Sequence, residues 1–155
     1  LLEEDNRYCL RVKGRSPLDY GWLLNREDEL AYYRALFQRI NSNPKLRHKV
    51  IFDPPGDDVN DWFTMVGFIL SPSDFESFHM AIGEGMLTGA TPDIWEWDGA
   101  SEIWSNEFLV KNISEAKKIV VAGPSSETAE RDFLKGYLSS SVGKSWVAAL
   151  KRDSL

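Results

Sequence analysis

The sequence predicts an α+β fold, and three observations carry that expectation. Period-two alternation marks Arg7–Lys13 as a strand, and a three-and-four spacing of apolar residues marks 26–40 as a helix. The succession strand, helix, strand, strand, helix, strand through about residue 110 follows the split βαβ, or ferredoxin-like, order. The expected architecture is an antiparallel or mixed sheet with packed helices, extended by a C-terminal strand and helices, in one globular domain over residues 1–155 whose ends are open to disorder.

In RYCLRVK (7–13), Tyr8, Leu10 and Val12 alternate with Arg11 and Lys13, the pattern of a strand covered on one face. Gly14 ends it, and RSPLDYG (15–21) is turn chemistry. Asn25 stands as a cap before REDELAYYRALFQRI, with acids in the first turn where the helix dipole favours them. Leu30, Tyr33, Leu36, Phe37 and Ile40 form its apolar stripe, and Asn41–Pro44 stops it.

Two β-prone runs follow, His48–Phe52 and Trp62–Leu70, joined by the loop DPPGDDVND. Both faces of the second run are apolar, as in a strand covered above and below. A helix is expected from Ser71–Asp74 to Met86, with Pro72 in its first turn and Phe75, Phe78, Ile82 and Met86 on one stripe. Gly83, Gly85 and Gly89 soften its end. Glu107–Lys111 reads as a strand and Ile119–Ala122 as a brief apolar run that supplies the added strand. Residues 123–138 and 142–151 read as the last helices.

A chain of 155 residues can bury roughly 70% of its unfolded surface without a metal or disulfide. The net charge of −6, from 24 acids against 18 bases, argues against nucleic acid, whose binders concentrate Lys and Arg. The densest basic patch, Lys45, Arg47, His48 and Lys49, is short enough to be a solvated element end. Cys9 is the only cysteine, so no intrachain disulfide forms; a reducing compartment, the cytoplasm first, is expected, with the thiol as a packing residue. No apolar stretch reaches the ~20 residues of a membrane span. The chain opens on Leu1 with acids close behind, unlike a secretory signal, although a leader removed earlier stays open.

The segment DIWEWDGASEIWSNEF (93–108) places three tryptophans within ten positions. Asp98-Gly99 is a turn signal, and two short strands around it would set Trp95, Trp97 and Trp104 on one face for any loop with an even residue count. At ~200 Å² each, three indoles amount to about 600 Å², the limit of what a soluble monomer leaves bare. Either the protein's own core covers them, through helix 27–40 or 126–138, or a partner does. Glu96, Asp98 and Glu102, with Asp93 and Glu107, would rim such a surface with negative potential, and the loop acids Asp53, Asp57, Asp58 and Asp61 could add to it.

Catalytic signals are thin. His48 and His79 fall in different elements, and His79, three residues after Glu76, reads as a helix-surface histidine. The DPPGDDVND loop fails the calcium-loop register, SSSVGKS lacks the first glycine and strand of a phosphate loop, and Gly83-Glu84-Gly85 lacks a dinucleotide fingerprint. No metal or cofactor is expected. The function expected is a small acidic protein-binding module, an inhibitor, immunity-type or adaptor protein. Trp95, Trp97 and Trp104 would be its anchors, and Glu96, Asp98 and Glu102 would steer a basic protein partner. The alternative is a small enzyme or small-molecule binder with a His or carboxylate pocket between the sheet and the glycine-rich end of the second helix.

Overall fold

The computed structural model describes residues 1–124, 134–137, 139–142 and 144. The chain groups into two compact units, Leu1–Val59 and Asn60–Leu155.

The first unit is a βαβ turn. β1 (Leu10–Lys13) leads through two short 3₁₀ turns into α1 (Glu27–Ser42), which returns the chain so that β2 (Val50–Asp53) pairs parallel to β1, Val12 opposite Phe52. Most of the expected stripe is covered: Ile40 is buried, Leu30, Tyr33 and Phe37 are half-buried, and the Phe37 and Phe52 rings lie 5.1 Å apart, while Leu36 is exposed. Asn25 belongs to the preceding 3₁₀ turn rather than capping the helix. On the other strand face, Arg11 grips Asp53 with Nη2 to Oδ1 at 2.6 Å and Nε to Oδ2 at 2.9 Å, and Lys13 reaches Asp58 at 2.7 Å. Two acids of the DPPGDDVND loop are thus held by cations of β1. Cys9 is exposed, not packed.

The second unit opens on α2 (Val59–Phe63), where one long strand was expected. The acids at 57, 58 and 61 suit a helix N-terminus, and burial of the adjacent Trp62 and Phe63 breaks strand alternation, so the two-faced apolar run is a helix end followed by a separate strand. That strand is β3 (Phe68–Ser71). The next helix, α3 (Met80–Leu87), begins five residues after the first residue of its expected stripe: Ile82 and Met86 are fully buried, but Phe75 is 90% exposed. β4 (Thr91–Trp95) follows and pairs parallel to β3, Leu70 opposite Asp93 and Ser71 opposite Ile94.

Gly85 explains how α3 lies on this sheet. A Cβ there would stand 2.8 Å from Ile69 Cδ1, so the helix backbone rests directly on β3, and the glycine marks close approach rather than a soft end. Ile69 and Ser71, with Pro92 and Ile94, therefore face α3, while Leu70, Asp93 and Trp95 face the other way.

After β4 the chain does not turn back. Gly99 takes a left-handed φ of 90° and introduces α4 (Ala100–Ile103), a 3₁₀ turn follows, and β5 (Leu109–Val110) pairs parallel to β4, Trp95 opposite Val110. α5 (Ile113–Ala122) absorbs the apolar run 119–122 that had been assigned to a strand. Asn112 caps it: Glu115 N donates to Asn112 Oδ1, and the Glu115 carboxylate accepts from Lys111 N and Asn112 Nδ2. The helix expected over 123–138 and the one over 142–151 lie largely outside the described residues.

Both sheets, β1-β2 and β3-β4-β5, are wholly parallel. The fold is an α/β-type arrangement, and the antiparallel or mixed α+β expectation is overturned. The physical reason is connection length: β1, β3 and β4 are each followed by a crossover long enough to carry the chain back to the same end, including the 96–108 stretch where a hairpin is expected from sequence.

Candidate functional site

Parallel strands gather their carboxyl ends at one edge of a sheet, and the loops leaving that edge form the usual ligand crevice of α/β proteins. In the second unit that edge carries a crevice of about 370 Å³. Glu76, Ser77 and Phe78, from the loop between β3 and α3, supply one wall. Trp97, Asp98 and Gly99, leaving β4, together with Glu102 and Ile103 of α4, supply the other.

Its apolar base is built in depth. Trp97 is 5% exposed and Trp104 2%. The Phe78 ring lies 5.2 Å from both the Trp104 and Tyr137 rings, and Tyr137 Oη donates to the Ile103 carbonyl at 2.7 Å. Asp98 and Glu102 are exposed, and among the described residues no Lys or Arg pairs with Glu76, Asp98 or Glu102. Residues 60–110 contain nine Asp and Glu and no Lys or Arg at all, so the crevice sits where the chain's negative charge is undiluted.

Of the six residues singled out from sequence, Trp97, Asp98 and Glu102 meet in this crevice, whereas Trp95, Glu96 and Trp104 do not line it. Trp95 is half-buried on the sheet face turned from α3, Trp104 packs behind Phe78, and Glu96 lies 3.4 Å from Lys111. The three indoles therefore do not share one bare face. β4 ends at Trp95 and α4 intervenes before Trp104, so the period-two alternation that would align the three rings does not run through the segment. Glu76, Ser77, Phe78 and Ile103 were not anticipated. The signal that could have found them was the thirteen-residue distance between β4 and β5, long enough for a parallel connection.

Two further polar groups lie nearby. Ser71 Oγ and His79 Nδ1 share a hydrogen bond of 2.6 Å at the end of β3. His79 is not on a helix surface beside Glu76, whose Oε1 accepts from Ser77 N instead, and it does not line the crevice. The crevice also lies at the entry side of α3 rather than at its glycine-rich end. Asp93, on the opposite face, is 4% exposed; its Oδ2 is buried with no hydrogen-bond partner among the described residues, and desolvation pushes its carboxyl above the ordinary range. Among the described residues no three His, Cys, Asp or Glu side chains cluster to hold a metal, and no helix is long and apolar enough to cross a membrane.

The chain matches no known family model, no curated protein sequence and no solved structure. The crevice brings the Trp97 and Phe78 rings together with three carboxylates that have no cationic partner among the described residues.

Proposed function

We propose that this chain is a small acidic protein-binding module whose crevice takes a Lys or Arg side chain from a basic protein partner. The observation that carries the reading is the union of Trp97 and Phe78 with the unneutralised Glu76, Asp98 and Glu102 in one crevice. The uninterrupted acidity of residues 60–110 would steer a basic partner from a distance, and the crevice would fix its orientation on contact. Trp97 is a wall of the site and Trp104 its support, while Trp95 and Glu96 lie outside the contact. The lone, exposed Cys9 thiol suits the cytoplasm or another reducing compartment.

Affinity capture from the native source at low and at high salt, using the wild type beside Asp98→Lys and Glu102→Lys, tests this. A partner retained by the wild type at low salt, released as salt rises and lost in both variants supports the reading. Retention by both variants rejects it. The small-molecule or enzyme alternative draws on the crevice's place at the carboxyl edge of parallel strands and on its three carboxylates, with His79 outside the lining.

A further inference from the structure

Among the described residues, His79 is the one non-glycine residue with a left-handed backbone, at φ 54° and ψ 72°. A ring-bearing residue keeps that conformation only where its surroundings over-determine it. Ser71 is what meets its side chain, 2.6 Å away. Ser71 is 1% exposed and is the last residue of β3, paired in register with Ile94, so it is a fixed point on the sheet.

Between these two residues runs Pro72–Phe78, which forms neither helix nor strand and carries Glu76, Ser77 and Phe78 into the crevice. The Phe78 ring is clamped by Trp104 and Tyr137. Next to it, the His79 backbone turns the chain sharply into α3. Both ends of the loop are therefore tied to buried structure, and a part-buried side-chain hydrogen bond from Ser71 to His79 links one end to the other.

We propose that the Ser71–His79 hydrogen bond is a latch that holds the 72–78 loop closed and so sets the distance from Glu76 to Asp98 and Glu102 across the crevice. Ser71 and His79 are positioning residues; neither touches the bound group. This rests on the crevice being the binding site. Without the bond, the backbone at His79 relaxes out of the left-handed region and the wall bearing Glu76 moves with it.

Amide hydrogen exchange across residues 60–110 tests the latch with no ligand present, in Ser71→Ala, His79→Gly and His79→Asn. Glycine accepts the left-handed backbone but cannot make the bond; asparagine tolerates that backbone and offers an amide to Ser71. Ser71→Ala and His79→Gly are expected to speed exchange at Ile82, whose N–H donates to the His79 carbonyl, by about tenfold or more while β4 stays protected, and His79→Asn to remain near wild type. Unchanged exchange in Ser71→Ala, wild-type protection in His79→Gly, or an equal rise throughout 60–110 overturns the latch. A hexa-arginine peptide, followed by indole emission, provides the second arm: Ser71→Ala should bind it about tenfold more weakly than the wild type, and equal binding overturns the positioning role. No binding by the wild type removes the crevice reading itself and leaves hydrogen exchange to decide the latch.

Discussion

The indole of Trp104 lies against the ring of Phe78, centroids 5.2 Å apart and planes inclined at 34°, and this pair joins the crossover after β4 to the loop after β3. It makes the tryptophan-rich segment a structural support. Trp104→Ala should cost about 3–5 kcal/mol, the range for emptying a buried aromatic site. Trp95→Ala, at a half-buried position, should cost clearly less. Urea unfolding of the two variants checks the order; equal losses would contradict the burial difference.

Indole accessibility divides the tryptophans. Trp22 is 53% exposed, with the Arg26 guanidinium 5.2 Å from its ring, whereas Trp97 and Trp104 are buried. Trp22→Phe should remove a substantial part of the iodide-quenchable emission, and Trp104→Phe almost none of it.

Gly85→Ala tests the contact between α3 and β3. The new Cβ would meet Ile69 at 2.8, 3.2 and 3.3 Å, so the helix must lift or the isoleucine must leave its rotamer. Overpacking of this kind costs ~1–3 kcal/mol, against a gain in helix propensity of up to ~1 kcal/mol, which leaves a net loss. Gly85→Ala combined with Ile69→Val should recover part of it. A melting temperature unchanged by Gly85→Ala would show that the helix rides higher than described.

Asp93 predicts a pH dependence with a definite sign. Burial raises its folded value, so the charged form is disfavoured in the fold. Below the unfolded value, about 3.9, both states hold the proton and the penalty is absent. Above it the unfolded chain gives up its proton first, and stability falls with rising pH until the raised folded value is passed. Asp93→Asn should therefore be more stable than the wild type near neutrality, with the difference closing at about pH 3. Denaturant midpoints across pH measure this, and a constant difference would assign the effect to packing.

Asp98→Asn and Glu102→Gln should leave stability within about 0.5 kcal/mol, as expected for exposed side chains without cationic partners, while weakening capture of a basic partner. Loss of folding in either variant would mean that these carboxylates serve the fold.

Helix α1 was legible because five apolar residues repeat along one side of a long segment, and β1, β2 and β5 were legible to within a few residues because short β-prone runs stand between turn residues. The 73–86 helix was overextended because Phe75 and Phe78 fit a helical stripe, while the left-handed turn at His79 leaves no mark on hydrophobic periodicity. One wall of the candidate site was legible in part. Trp97, Asp98 and Glu102 were picked out by local density of indole and charge, whereas Glu76 and Phe78 lie about twenty residues upstream and join them only when β3 and β4 pair.

The sequence by itself determined the segments that could be helix or strand, the acidity of residues 60–110 and the single thiol, because these follow from local pattern and composition. Strand direction, the separation of Trp95 from Trp97 and Trp104, and the assembly of the crevice were decided only by tertiary structure. The reason is that an Asp-Gly turn is equally at home between two strands and ahead of a helix. The choice between them lies in which distant surface, here Phe78 beside α3, can cover the indoles that follow.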